Sequence, residues 1–503
     1  MLVDTVEIYE SIIDSLKTEK TLVLDVETNG LDSFGTHQIC GVGIGKMSND
    51  DTYYFPFRHQ QGRNLSATYA QNLINVLNGC PTIIGYNVKF DLHFLEKEGL
   101  ETAEKRLEDV IVLVRLTEPT HVRELDLTNT LKRSYGEGAA EYDLETKKQL
   151  RSNKWHKDFS LAPPDMLGEY CEQDVHWTRR LYRDRFIALQ KSQQLNVWEL
   201  EVALTPVLLE MEKQGIKIDI NYAQDAMERI LTRKEELTQK IYGMVGEFNI
   251  NSTQQLGEAL NAQGIFSPAT TPKGAQSWGE AALVRIDHPV AGYIRQYRTL
   301  EKLRSTYLEP HLETAVLHTG FCNWGTVTGR LSSRNPNLQN IPRNHFKLED
   351  RTLTIQEQED TLQRINALLA AKGDAGMEEL KPEVLATWSF IGDESYDEAV
   401  DSQIAIRRLF QPREEYYLVG FDYSQMEVRV FLSYLQNPEI QALLQRTDVD
   451  FHGEAAKLAF NIDEDSSEYK FYRQMAKAIT FGTIYGIGNK KLAVQLGTTP
   501  KEA

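Results

Sequence analysis

Cysteine is scarce in this chain. Four occur among 503 residues, Cys40, Cys80, Cys171 and Cys322, and no two form a C-x-x-C pair. That spacing argues against a disulfide framework or a zinc site, and scattered thiols fit a reducing cytoplasm. No uninterrupted apolar run is long enough to cross a bilayer, so no membrane partner is expected. The opening residues M-L-V-D-T-V-E lack the basic and apolar regions of a secretory signal. There is no fixed-period repeat and no low-complexity tract. What remains is ordinary globular composition, 41% hydrophobic and 25% charged, over a length that suits about two to four domains.

Positive charge is also in deficit, with a formal net charge of -18. This is weak evidence against a nucleic-acid partner, because DNA is held by local basic stripes while far surfaces stay acidic. The charge is uneven. Residues 285–343 carry Arg285, Arg295, Arg298, Lys302, Arg304, Arg330, Arg334 and Arg343 against few acids, and the stretch up to about Asp401 is strongly acidic.

Three zones follow one another. The first, to about residue 190, contains the apolar strand T-L-V-L-D-V-E-T, a second apolar run P-T-I-I-G-Y-N-V, and helical periodicity from Pro164 to about Leu189. Strands mixed with helices imply an α/β or α+β layer fold. The second zone, 198–318, reads as mostly helical. Its segment E-V-A-L-T-P-V-L-L-E-M-E-K-Q-G-I has apolar residues at helical spacing and Gly215 placed to end the helix. The third zone starts near Trp324. Within it, Thr354 and Glu357 read as a capping box opening an amphipathic helix with Ile355, Leu362, Ile365, Leu368 and Leu369 on one face and a stop at Gly373. That helix reads as a packing or partner surface without chemistry.

Asp25 and Glu27 stand two apart on the first strand, so both carboxylates point to one side. Paired acids at a strand end suit a hard cation, although for D-x-E alone a pair of solvated surface acids is the better reading. Further on, N-V-K-F-D-L-H-F-L carries Asn87 and Asp91, and Y-C-E-Q-D places Tyr170 and Asp174 four apart on one helix face. In order, these segments resemble the three exonuclease motifs of the DnaQ-like superfamily, in the Y-x-x-x-D form found in the proofreading domain of family A DNA polymerases. The resemblance implies that Asp25, Glu27, Asp91 and Asp174 bind two Mg2+ ions, which Mn2+ can replace, and that Tyr170 orients the attacking water. Two divalent metals about 4 Å apart supply the hydroxide and stabilise the leaving oxygen in phosphodiester hydrolysis.

The string T-V-T-G-R-L-S-S-R-N-P-N-L-Q-N-I-P, from Thr326 to Pro342, resembles the family A segment that grips primer–template DNA. By that resemblance Arg330 contacts the minor groove at the primer terminus, and Asn337, Gln339 and Asn340 touch template or primer. L-V-G-F-D-Y-S-Q-M-E-V-R-V resembles motif A. The apolar strand would deliver Asp422 as a ligand to the polymerising metals, aided by the Tyr423 carbonyl, with Glu427 as a steric gate against ribose; Gln425 and Arg429 join the nucleotide and DNA contacts. Met426 and Val428 stand where Ile and Leu are usual. D-F-H-G-E-A-A resembles the segment whose histidine meets the triphosphate, here His452. R-Q-M-A-K-A-I-T-F-G-T-I-Y-G resembles motif B, with Arg473, Lys477, Phe481 and Tyr485 winding as one stripe along a helix. Arg473 and Lys477 would hold triphosphate oxygens, Phe481 the sugar and base, and Tyr485 the template base. P-V-L-L-E-M-E-K-Q-G-I-K-I-D, F-N-I-N-S-T-Q-Q-L-G-E-A-L, T-P-K-G and Y-R-T-L-E-K-L-R-S-T-Y resemble the family's thumb.

The resemblance implies an RNase H-like (DnaQ-like) exonuclease domain over 1–190, a helical thumb over 198–318, a partial palm over 319–440 and the start of the fingers over 441–503. It departs from the family at 344–402, read as an acidic insertion, and after motif B, where no His-Asp-Glu motif C follows. The expected function is template-directed DNA synthesis with 3′→5′ proofreading, on DNA primer-template and dNTPs. The enzyme is expected to be split and of bacteriophage type, working in an infected bacterial cytoplasm with a C-terminal fragment carrying motif C and with other replisome proteins. Two alternatives stand beside it: a stand-alone 3′→5′ exonuclease with a DNA-binding polymerase remnant, and a non-catalytic DNA-binding subunit, against which the intact acids speak.

Overall fold

The computed structural model describes residues 1–271, 273–312, 314–342, 346–347, 403–420, 423, 425–435, 437–446, 449–489 and 492. They divide into two compact units, one of 1–218 with 314–342 and one of 219–313 with 343–503. The boundaries differ from the four-domain reading. Residues 198–218 and 319–342 group with the first unit. The amphipathic helix expected over 354–373 lies outside the described residues.

The first unit is built on a five-stranded sheet of order β3-β2-β1-β4-β5. Its strands are β1 (Thr21–Thr28), β2 (Ile39–Lys46), β3 (Thr52–Pro56), β4 (Thr82–Gly85) and β5 (Arg106–Asp109). β1, β2 and β3 pair antiparallel, whereas β4 and β5 run parallel to β1. The carboxyl ends of β1, β4 and β5 therefore lie at one edge, where loops carry chemistry in open α/β sheets. The two faces of β1 serve two cores. Leu22, Leu24 and Val26 join one with helices α1 (Val6–Lys17), α2 (Ala67–Gly79) and α3 (Lys89–Lys97). Val23 joins the other with α4 (Val110–Thr117), α5 (Leu127–Tyr135), α7 (Pro164–Lys191) and α8 (Leu195–Gln214). Between them in sequence, α6 spans Glu141–Ser152.

Local sequence explains how α7 reaches the sheet. β2 reads I-C-G-V-G-I-G, and a Cβ at Gly43 would lie 2.6 Å from Cys171 Sγ, one at Gly45 2.6 Å from Val175. Glycine at these positions leaves the strand face flat enough for the helix to seat against it. α7 starts on Pro164, whose missing N–H costs nothing in a first turn. α8 ends as its sequence indicates, with Gly215 at φ 60°. The unit closes with short antiparallel pairs, β6 (Ile216–Ile218) with β7 (Val316–Leu317) and β8 (Gly320–Cys322) with β9 (Ser332–Arg334).

The second unit begins with the helices α9 (Ile220–Val245), α10 (Thr253–Ala262), α11 (Glu280–Leu283) and α12 (Pro289–Lys302). They enclose their own core of Ile241, Leu256, Leu260, Trp278, Val290 and Ile294. The Asp219 carboxylate caps α9 at Tyr222 N, 2.9 Å away, and accepts from Gln411 Nε2 at 2.5 Å. After the small pair β10 (Phe346–Lys347) and β11 (Gln403–Ile404) come α13 (Met426–Ser433), α14 (Pro438–Leu444), α15 (Phe451–Phe460) and α16 (Tyr469–Ile484). Among the described residues the strand expected to deliver Asp422 is not seen, and 421 and 422 lie outside them. Residues 416–420 are irregular, and Tyr416, Tyr417, Leu418 and Val419 are exposed. Among the described residues no neighbouring strand pairs with them, and an extended segment without a partner gains no ladder hydrogen bonds.

Candidate active site

Asp25 and Glu27 sit at the carboxyl end of β1, with a register irregularity between Glu27 and Thr28. Asp91 lies in the first turn of α3 and is buried, its Oδ1 accepting from Val26 N at 2.9 Å. Asp174 comes from α7, and its carboxylate accepts from the Tyr142 hydroxyl. The structure thus brings together all four acids singled out from the sequence. Their electrostatics show how close they are. Glu27 is raised well above its ordinary value, first by burial and then by the charges of Asp25, Asp174 and Asp91. Asp91 and Asp174 are likewise raised, by burial first and the Asp25 charge second. Asp25 keeps some exposed surface, yet the protein packed around it pushes it up to about 7, a rise eased by a 3.2 Å hydrogen bond from the Cys171 thiol.

Crowding four acids is costly unless something compensates. Glu27 Oε1 is buried and has no hydrogen-bond partner. Asp25, Glu27 and Cys171 each place a ligand atom within 4.8 Å of the others, the one such trio among the described residues. An all-oxygen donor set with an orphaned carboxylate oxygen fits a hard divalent cation. Cys171 does not belong to that set, because burial and the neighbouring carboxylates hold its thiol protonated and it donates to Asp25.

Tyr170 is placed beside this cluster. Its hydroxyl donates to Asp143 Oδ1 at 3.2 Å, and burial and the acids, Asp174 first, push its pKa up, so it remains a neutral donor. Asp143 is itself buried and accepts from Thr128 Oγ1 at 2.6 Å and from Lys147. Sequence reasoning missed Tyr142, Asp143 and Cys171. Cys171 had a signal in the alternating glycines of β2, which mark a strand face that neighbouring side chains approach closely. Tyr142 and Asp143 lie on α6, far from any motif.

Arg330, Asn337, Gln339 and Asn340 are exposed on the loops around β9, in the same unit as the acids. Asn337 Oδ1 accepts from Gln339 N at 3.1 Å, which shapes the loop. The remaining candidates lie in the second unit, and Asp422 lies outside the described residues. Tyr423 is exposed. Gln425 caps α13 in a left-handed conformation at φ 51°, and its amide donates to the Val449 carbonyl at 3.1 Å. Glu427 lies in the first turn of the same helix. Arg429 stacks over Phe451 and donates to the carbonyls of Leu444 and Arg446 at 2.9 and 3.0 Å. These contacts tie its guanidinium to the structure around it.

α15 packs on α16. His452 is buried, its Nδ1 has no partner, and its ring lies 5.3 Å from that of Phe481. Burial, then the charge of Arg473, lowers its pKa, so the imidazole is neutral at pH 7. Arg473 is held by Asp450 at 2.5 and 3.0 Å. Lys477, Phe481 and Tyr485 line one cleft of about 630 Å³ with Gln474 and Ala478. The helical stripe read from spacing is therefore gathered on one surface, with Arg473 committed to an internal partner.

The family model for 3′-5′ exonuclease matches residues 1–184, and that for DNA polymerase family A matches 220–374 and 397–503. The unmatched stretch between the last two segments is much shorter than the insertion read at 344–402. DNA polymerase I of a Synechocystis strain is 30% identical to the whole of this chain, which covers 46% of that relative. DNA polymerase I of Borreliella burgdorferi is 26% identical over 98% of the chain and 48% of its own length. The chain thus spans about half the length of these curated relatives. In fold it is similar to the POL domain of Pol1 from M. smegmatis, solved in complex with DNA primer-template and dNTP. The TM-score is 0.65 at 18% identity, over 100% of this chain and 74% of that one. No helix among the described residues is long and apolar enough to cross a membrane. With its polymerase match covering more than half of its residues, the chain belongs to DNA polymerase family A.

Proposed function

We propose that the first unit is a metal-dependent 3′→5′ exonuclease acting on single-stranded DNA ends. The observation that carries this is the convergence of Asp25, Glu27, Asp91 and Asp174 around an orphaned Glu27 oxygen. These four would hold two divalent ions, Mg2+ or Mn2+, and the ions would supply a hydroxide and a charged clamp on the scissile phosphate. The chain's own residues do the rest. Val26 N fixes Asp91, the Tyr142 hydroxyl fixes Asp174, and Tyr170 stands as a neutral donor able to orient water. The test is release of nucleotides from a 3′-labelled oligonucleotide. Asp25→Ala and Asp174→Ala should each lower the rate by at least about a thousandfold, and robust activity in the double variant would refute the assignment.

The second unit, we infer, belongs to a template-directed DNA polymerase using dNTPs. The Lys477, Phe481 and Tyr485 cleft beside His452 and Arg473 suits a triphosphate with its base and sugar. Asp422 and the Tyr423 carbonyl would serve the metals and Glu427 the sugar gate. Arg330, Asn337, Gln339 and Asn340 would meet DNA. These 503 residues contain no His-Asp-Glu segment. We propose that primer extension draws a further carboxylate from outside them, whether from a longer chain or a second one. Primer extension by a polypeptide of these 503 residues alone would overturn that part.

A further inference from the structure

The β8–β9 hairpin carries a pair that the nuclease reading does not use. Arg334, at the end of β9, lays its guanidinium over the Trp324 indole, 5.0 Å from the ring centroid. Its Nη2 donates to Asn87 Oδ1 at 3.2 Å. Asn87 follows the carboxyl end of β4, the strand parallel to β1, and precedes Asp91 by one helical turn. Arg334 is exposed. We propose that Trp324 and Arg334 form a subsite for single-stranded DNA, with Arg334 holding a backbone phosphate and stacking a base on the strand that leads to the four acids. This rests on the nuclease reading of those acids.

The pair is built to stay in place. Trp324 packs on the core beneath it, and its carbonyl accepts from Arg115 Nε at 3.1 Å. Arg115 is tied down in turn through the Val122 carbonyl, at 3.1 Å from both terminal nitrogens. The hairpin is locked to the helix that bears Asp91. The buried Glu212 accepts from Phe321 N in β8 at 2.5 Å and from His93 Nε2 in α3 at 2.7 Å. Lys89, at the start of α3, donates both to Glu212 and to the Phe321 carbonyl. The subsite and a proposed metal ligand are thereby parts of one hydrogen-bonded body.

Residue chemistry selects the ligand. A guanidinium is planar and weakly hydrated, so with one face on an indole it can offer the other to a base and its edge to a phosphate. Alternating aromatic and cationic groups of this kind are how single strands are held without sequence preference. A pair serving stability alone would be a surface cation–π contact, and deleting it would leave DNA affinity unchanged.

The experiment uses the full chain with Arg334→Ala and Arg334→Lys. Affinity for a short oligothymidylate is read in calcium, without turnover, across a range of salt. Hydrolysis of the same strand is compared with that of the p-nitrophenyl ester of thymidine 5′-phosphate, which has no second phosphate. Arg334→Ala should weaken strand affinity about tenfold and lower the salt slope by about 1. KM for the strand should rise about tenfold with a smaller fall in kcat, a loss at least about fivefold greater than on the ester. Arg334→Lys should recover the salt slope but not the full affinity, because it keeps the charge and loses the flat face. Strand affinity and salt slope like those of the unmodified chain would overturn the subsite. So would equal losses on strand and ester, which would mean that Arg334 acts by shaping the acid cluster. If the unmodified chain cleaves neither substrate, the nuclease reading falls, while affinity and salt slope still decide the role of Arg334.

Discussion

Asp25 is held near the point where it gains or loses a proton at neutral pH, and its neighbours Glu27, Asp91 and Asp174 are raised as well. An aspartate in the unfolded chain titrates near ~3.9. Between that value and about 7 the metal-free folded protein keeps a proton on Asp25 that the unfolded chain has lost. Stability therefore falls as pH rises through this window, because the folded state binds more protons there. Bound cations reverse the cost by neutralising the carboxylates. In EDTA the melting temperature should drop between about pH 5 and 8, and magnesium should remove most of that drop. Asp25→Asn should raise the metal-free melting temperature at pH 8 while abolishing nucleotide release. Such a gain in stability with a loss of activity separates a site residue from a packing residue. A metal-free profile that is flat across this range would show that the acids are not strained as the geometry implies.

At the level of elements, the site depends on how one strand end is tied to the next helix. Asp109 ends β5, is buried, and receives Asn87 N at 2.7 Å, Val88 N at 3.1 Å and Ile111 N at 3.2 Å. One carboxylate thus caps α4 and holds the loop that leads into α3 and Asp91. Asp109→Ala leaves these donors buried and unmatched, so a loss of about 3 kcal/mol is expected by denaturant unfolding. Nuclease activity should fall by more than stability alone explains, since Asp91 loses its support. Asp109→Asn keeps one acceptor and should sit between. Elements of this kind were partly legible in the sequence. β1, α7 and the glycine stop of α8 follow from apolar period, proline and glycine. Asp25, Glu27, Asp91 and Asp174 stood out because two short local motifs and one helix spacing carry them. The supports did not. Asp109, Asp143, Tyr142 and Glu212 act across long sequence separations, and isolated acids or tyrosines carry no periodicity. The apolar strand read to end at Asp422 is irregular over its described residues, 418–420, for the complementary reason: its apolar pattern is local, but a strand exists only with a neighbour to pair with.

Each compact unit has a core of its own. The first unit's two cores flank the five-stranded sheet, and the second unit's lies among α9, α10, α11 and α12. Cores that share few groups unfold as separate cooperative steps, and a ligand stabilises only the step that destroys its site. The four acids all belong to the first unit. Scanning calorimetry should therefore resolve two transitions, of which magnesium raises only that of the first unit, because in the second unit Asp422 would lack the further carboxylate proposed to come from outside these residues. At a free concentration about a hundred times its dissociation constant, a bound ion contributes about 2.7 kcal/mol. For a unit of this size each kcal/mol moves the midpoint by roughly 2–4 °C. A rise of about 5–10 °C in one transition is expected, with the other unchanged. Asp174→Asn should abolish that rise without merging the transitions, because the substitution removes a ligand and leaves both cores intact. The transition that responds can be assigned by limited proteolysis at the temperature between the two midpoints. Fragments from 219–313 should then differ in protection from those of 1–218. A single transition would mean that the units fold as one. An equal rise in both would place a metal in each unit, and a rise confined to the transition assigned to 219–313 would overturn the nuclease site itself.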